Sequence, residues 1–451
     1  MPFPSTTHSP THRSLRLLVL SMLLAAVGTF HIASTGANTL SGDLQQKRQA
    51  ASTDLREKRS TMPAEGSDYS RAIDERTEML TRSLVVTLQD QRTSEPLAVW
   101  QIDLSTSPLW VVYDVPKTGQ PTAVVSEKRI LQDVRNKRPF TLTTSQSCDL
   151  LSDWVDTFGV QRAQTSCIAE DGYTIDELHF AQSVRAALEQ GKEELVYPVT
   201  FVPGVIRTAG SSLAVGDLKR LSSGHSDFKG SGAGRKSNVR KALTQHVNNV
   251  IVPAGAVYSF NDTIGPAVTT GNGWQMAYTI FNGADLIMAP GGGICQASTT
   301  MYRAAFRAGL PIVKQKNHSL YVVYYEKHGV GQDATVFPGK QDFQFLNDTG
   351  APLLIQSYHE GDEAFVHVYG KDDGRSVTVT GPYFTSNAPA GTKVRKNEIL
   401  WQRTIDGVST EPVVEQFVAR YNALPVSLPK KAPLTTQVTR GEAQPLHAAA
   451  E

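Results

Sequence analysis

Cys295, His318 and Asp333 supply a thiol, an imidazole and a carboxylate within one stretch of the chain. Those residue types can form a cysteine nucleophile, its general base and a group that orients the base. Gly291, Gly292 and Gly293 stand just ahead of the thiol. They remove side chains that would keep a ligand or another backbone away, and they place Cys295 in the first turn of a predicted helix. The positive end of a helix is where a thiol ionises most easily. Each residue also has a simpler reading. Cys295 fits a small buried hydrophobe, His318 a strand-edge histidine bonded to backbone, and Asp333 a turn or cap residue. Gln296 and nearby N–H groups are candidates to stabilise an oxyanion, Gly292 and Gly293 to line the substrate, and Trp274 to form a platform over it or to sit in the core. His328 and His359 have no spacing to Cys295 that suggests zinc, so no metal or cofactor is expected.

These side chains need rigid elements. Ala297, Met301, Ala304, Ala305 and Ala308 recur at three and four residues, which predicts a helix with Arg303 and Arg307 off its apolar face, stopped by Gly309 and Pro311. That helix rises roughly 20 Å. An extended Leu310–Asn317 covers roughly 25 Å, enough to bring His318 back beside Cys295. The run Ser319-Leu-Tyr-Val-Val-Tyr-Tyr325 reads as a strand that would hold the imidazole. A hairpin turning at Glu326–Gly331 would then leave Asp333 roughly 20 Å along that strand from His318. Only a different path brings Asp333 opposite the imidazole.

Ordered blocks carry a family resemblance: Asn238-Val-Arg240, Val252-Pro-Ala-Gly-Ala-Val-Tyr-Ser-Phe-Asn261, Ile264-Gly-Pro266, Gly273-Trp274, Phe281-Asn-Gly283, Gly291-Gly-Gly-Ile-Cys-Gln296, Asn317-His-Ser319, Asp333-Ala-Thr335 and Asp342-Phe-Gln-Phe-Leu-Asn347. Together they resemble the VanW family, named for a vancomycin-resistance accessory protein, over about 135 residues. Gly273-Trp274 stands where the family usually shows Gly-Tyr. The resemblance implies a bacterial envelope protein and leaves its chemistry open. More distantly, the order Cys, Gly-Leu-Pro, His, Asp-Ala-Thr is similar to transglutaminase-like and papain-like cysteine enzymes, although the interval from Cys295 to His318 is shorter than theirs. The segment from Gly172 resembles, more weakly, the peptidoglycan-binding type of domain found ahead of VanW domains; a generic α+β spacer is the alternative.

The chain has 451 residues, 40% of them hydrophobic, and a net charge of +1. The length suits two to three domains, and the charge gives no support for a nucleic-acid partner. Residues 1–37 carry Arg13 and Arg16, an apolar run and small residues, an export segment that is either a cleaved signal or a membrane anchor. The rest is expected outside the cytoplasm, in the cell envelope. Three cysteines in an exported chain leave one unpaired; Cys148 and Cys167, in polar turn-like surroundings, are paired here, with three free thiols as the alternative.

The expected fold is α+β and multi-domain, with the Cys-bearing helix packed on an antiparallel sheet. Its parts are a polar tether over 38–82, an α+β domain over 83–203, a Gly/Ser linker over 204–235, the VanW-like domain over 236–371, a small β extension over 372–422 and a disordered tail over 423–451. Two functional classes follow. One is cysteine-dependent acyl transfer or amide hydrolysis on wall peptides; the other is a non-catalytic module binding peptidoglycan or another envelope component, linked to glycopeptide resistance.

Overall fold

The computed structural model describes residues 69–439, apart from 210, 214, 282–284, 426–427 and 429–432. The export segment, most of the tether and the last residues of the tail lie outside the described residues. Two units are present: a small one, up to Glu75 with Tyr113–Ala123, and a large one, Arg76–Val112 with Val124 onward. In the small unit Glu75 accepts hydrogen bonds from the Arg71 guanidinium at 2.9 Å and from the Ala123 N–H at 3.1 Å. All that follows concerns the large unit, whose fold is α+β. Among the described residues no helix is long and apolar enough to cross a membrane.

Strands β1 (Ser83–Asp90) and β2 (Pro96–Asp103) pair antiparallel and lead to helix α1 (Glu127–Lys137), which Ser126 caps. Strands β3 (Cys148–Val155), β4 (Gln161–Thr165) and β5 (Gly172–Thr174) come next, then helix α2 (Glu177–Glu189) and strand β6 (Glu194–Val202). The α2 cap is Asp176, which accepts from two first-turn N–H groups. β6 runs parallel to β1, giving a sheet in the order β2-β1-β6-β5.

The stretch 204–235, expected to be a linker, holds β7 (Val205–Arg207) and the ten-residue β8 (Leu218–Asp227). Helix α3 (Ala233–Lys241) is capped at Gly232 and runs on into a π-helical turn, Ala242–Val247. Then come β9 (Val250–Val252), β10 (Val257–Ser259), a hairpin of β11 (Met276–Phe281) and β12 (Asp285–Pro290), and α4 (Ile294–Arg307). After β13 (Ile312–Lys314) the expected strand at 319–325 is absent. Its place is taken by an irregular segment, a 3-10 turn at Val323–Tyr325 and the short helix α5 (Glu326–Gly329).

β14 (Gln344–Leu346) lies between β10 and β13, and β15 (Leu353–Glu360) forms a hairpin with β16 (Glu363–Gly370). A closed barrel results, in the order β8-β16-β15-β9-β4-β3-β7. All seven strands contribute to one buried cluster, Leu150, Ala163, Ile206, Leu218, Ile251, Leu354 and Tyr369, which is therefore the barrel interior. Cys148 and Cys167 are disulfide-bonded within this cluster. Since β3 and β4 close a barrel otherwise built from later residues, no domain boundary falls at 203.

Alternate residues of β15 and β16, including Ile355, Val366 and Val368, face outward into a second cluster with Ala297, Met301, Ala304 and Ala305 of α4. The helix is covered on nearly every side, and Arg303, expected off the apolar face, is fully buried. Beyond the barrel, β17 (Ser376–Tyr383), β18 (Glu398–Asp406), β19 (Val413–Arg420) and β20 (Leu434–Thr439) form a sheet in the order β19-β18-β17-β20. β20 falls in the expected disordered tail; it is ordered by pairing along the edge of β17. Arg403 of this sheet donates to the carbonyls of Phe306 and Leu310, and Arg375 to that of Gly309. Those carbonyls lie at the negative end of α4, where a guanidinium is favoured.

Candidate active site

Cys295 is the second residue of α4 and is partly exposed. Gly293 caps the helix with φ 112°, a left-handed backbone that side-chain-bearing residues rarely adopt. A Cβ on Gly292 would sit 2.5 Å from the carbonyl oxygen of Ala277, so this glycine lets the β11–β12 hairpin lie against the turn. Gly292 is buried and packs the hairpin, and only Gly293 of the two lines the open cleft. Asn238 fixes the arrangement: its amide donates to the carbonyls of Gln275 and Gly292, and its oxygen accepts from the Gln275 N–H at 2.8 Å.

Asp333 lies beside His318. The segments carrying them run side by side, the Thr335 N–H donating to the Lys316 carbonyl at 2.7 Å. His318 is 6% exposed and Asp333 2%. One carboxylate oxygen, Oδ2, accepts from the His318 N–H at 2.8 Å and lies 2.5 Å from Nδ1; the other, Oδ1, accepts from the Tyr421 hydroxyl at 2.5 Å. With Nδ1 committed to Asp333, the ring's other nitrogen is left for the thiol, and imidazole and thiol each shift the other's titration. The Val336 N–H also points at the sulfur, at 3.4 Å. Burial pushes the thiol up, but the His318 hydrogen bond and charge, with smaller help from Val336 and Thr335, outweigh it, so Cys295 sits below the ordinary cysteine range. Burial pushes His318 down, and hydrogen bonds to Asp333 and Cys295 reverse this and carry it well above the ordinary value. Both directions favour a thiolate–imidazolium pair.

Polar groups on α4 hold this geometry. Ser298 donates to the Ala334 carbonyl and Thr299 accepts from the Ala334 N–H, each at 3.1 Å, which pins the residue after Asp333. Arg303 donates to four carbonyls, those of His225, Tyr325, Gly329 and Gln332, and so shapes the irregular chain between His318 and Asp333. Burial lowers its pKa to about 10, which leaves it charged at neutral pH. None of Asn238, Ser298, Thr299, Arg303 or Tyr421 was singled out for the site from the sequence. Three consecutive hydroxyl residues, Ser298-Thr-Thr300, inside a helix were the available signal, since such residues favour helix interiors only where their side chains find partners.

Two sequence candidates fall outside the site. Gln296 is fully buried, and its amide is engaged by Arg235, Ser226 and the Asp227 carbonyl, so it has no free donor for an oxyanion. Trp274 is 2% exposed, packs in the core and stacks on His246 at 5.2 Å, away from the cleft. A second cluster, His225, His328 and Glu363, brings three donor atoms within 4.8 Å of one another. The two ring centroids are 3.6 Å apart with the planes tilted by 33°, and the Lys327 ammonium already bonds Glu363 at 2.5 Å.

Residues 234–369, which carry Cys295, His318 and Asp333, match the family described as VanW like protein. That span is a VanW-like domain. The chain is also similar to a protein of Bacillus subtilis (strain 168) described as uncharacterized protein YoaR, 35% identical over 145 residues. The match covers 32% of this chain and 46% of YoaR, so the chain spans about half the length of that relative. No solved structure matches the chain. Tyr421 lies beyond the VanW-like domain, so the carboxylate inside the domain is oriented by a hydroxyl outside it.

The thiol opens into a cleft of about 920 Å³. Its walls are the β11–β12 hairpin, the segment from Lys316 to Tyr325, the start of α3 and the segment from Thr335 to Gln341.

Proposed function

We propose that the VanW-like domain is a cysteine-dependent acyl-transfer or amide-hydrolysis site that works outside the cytoplasm, at the cell envelope. The observation that supports this reading most is the alignment of Cys295, His318 and Asp333 at the wall of an open cleft. In this mechanism the Cys295 thiolate attacks an amide or ester carbonyl. A C–S bond forms, His318 gives its proton to the departing amine or alcohol, and the C–N or C–O bond breaks. Water or an acceptor amine then attacks the thioester, His318 takes its proton, and the thiol is restored. Asp333 keeps the imidazole in the tautomer and orientation both steps require. Wall peptides are the first substrate class to test, following the family resemblance.

A binding module is the second reading, favoured by the full engagement of the Gln296 amide, which removes that side chain as an oxyanion donor. Incubation of the purified chain with peptidoglycan fragments, read by mass spectrometry, separates the two. Cleaved or transferred products that vanish in Cys295→Ala support catalysis. Retention of fragments by both proteins without any new mass supports the binding module and overturns wall peptides as the acyl donor.

A further inference from the structure

Resting on the reading of Cys295 as nucleophile, we infer that the substrate is an anionic lipid whose fatty acyl ester or amide lies at the thiol. The hairpin supplies the first argument. Its register places Tyr278 opposite Met288 and Ile280 opposite Leu286, so these four side chains share one face, and that face lines the cleft. Tyr278 is 65% exposed, Leu286 62% and Met288 49%. Across the cleft, Val323 is 58% exposed and Phe337 44%. Large apolar side chains gathered on two facing walls mark a surface that an apolar partner covers. The strip follows six-residue strands, on the order of 20 Å long, and its base lies at the glycine turn that leads into Cys295.

Charge supplies the second argument. The cleft lining contains Arg235, Lys316 and Lys340 and no aspartate or glutamate. Lys340 is exposed, with its ammonium 5.4 Å from the Phe337 ring centroid. Polar lining residues concentrate on the segments that bracket the thiol: Asn317 and Ser319 beside His318, and Gln341 beside Lys340. The nucleophile therefore stands where an apolar wall meets a cationic, polar one. An acylated anionic lipid has the same layout, its carbonyl lying between the chain and the charged headgroup. A wall peptide, with polar and charged groups along its whole length, leaves the hairpin face uncovered.

In the reaction Cys295 takes the acyl group from the lipid's alcohol or amine, which leaves with the His318 proton, and the thioester passes the acyl group to water or an amine. The test uses the full chain with p-nitrophenyl octanoate and p-nitrophenyl acetate, following nitrophenolate release and the mass of the Cys295 peptide. In parallel, fluorescence titration measures binding of 11-(dansylamino)undecanoic acid and of its methyl ester. The expected result is a kcat/KM at least tenfold higher for octanoate, with an octanoyl adduct on Cys295. Leu286→Glu combined with Met288→Glu should lower the octanoate-to-acetate ratio at least fivefold, and both positions are exposed enough for the variant to fold. Lys340→Glu should weaken the dansyl acid at least tenfold more than its methyl ester. Equal rates for the two esters, or muropeptides acylating Cys295 in preference to both, would overturn the lipid assignment and leave the cysteine mechanism standing. Binding of the dansyl acid that depends on Leu286 and Lys340, without any adduct at Cys295, would instead support the lipid ligand and remove the enzyme reading.

Discussion

The Cys295 thiol is held below its ordinary range against burial, chiefly by His318, and that predicts a pH signature. Because the thiol is held below its ordinary range, the rate of iodoacetamide alkylation should reach its plateau below about pH 8.5 and fall only as acid protonates the thiolate. His318→Ala removes the main opposing influence to burial, so the midpoint should move upward; an unchanged midpoint would remove His318 from the mechanism. Tyr421→Phe tests the next link. It deletes the hydroxyl that holds Oδ1 of Asp333 and should cost about 1 kcal/mol of stability. Alkylation at pH 7 should slow several-fold in the same variant, whereas a change in melting temperature alone would make Tyr421 a packing residue. Cys295, His318 and Asp333 were legible as candidates by residue type, because few side chains can do cysteine chemistry. Tyr421 was not legible: it lies 88 positions from Asp333 in the chain, and nothing local at either residue announces the other.

At the level of elements, α4 could be read from its periodicity and its glycine stop, while β8 and the segment before α5 could not. Both failures have one cause: composition was taken as backbone preference when it recorded packing. The run at 319–325 is β-branched and aromatic because its side chains line the cleft and the core beside it, and no strand pairs with it. The Gly and Ser of β8 were read as breakers, yet they let α4 approach closely. Ser222 donates to the Ala304 carbonyl at 2.8 Å, Ser226 and Thr300 share a hydrogen bond at 2.7 Å, and a Cβ on Gly224 would collide with the Thr300 carbonyl oxygen. Gly224→Ala should accordingly push the helix off the strand and cost about 3 kcal/mol or more in urea unfolding. A loss below about 0.5 kcal/mol would show that the contact yields easily. The same variant should slow Cys295 alkylation, since the helix carries the thiol.

For the whole molecule, the family-matched span is smaller than the structure that supports its site. Barrel strands β3, β4, β7 and β8 precede it, and Tyr421, Arg375 and Arg403 follow it. Residues 234–369 produced alone should therefore fail to give a cooperative thermal transition, whereas 76–439 should give one; a sharp transition in the short piece would show that the barrel closes without its early strands. The sequence suggested a chain of modules joined at 204–235 because a barrel strand and a linker have similar compositions when the strand packs closely against a helix. The interleaving of the barrel has a temporal side. β3 leaves the ribosome roughly two hundred residues before β16, which at about 5–20 residues per second is about 10–40 s. Through that interval β3 and β4 can pair with each other, then with β7 and β9 as these emerge, but the barrel cannot close until β16 is made. The Cys148–Cys167 bond lies entirely within this early segment, so an oxidising compartment can tie the hairpin's ends before its barrel partners emerge.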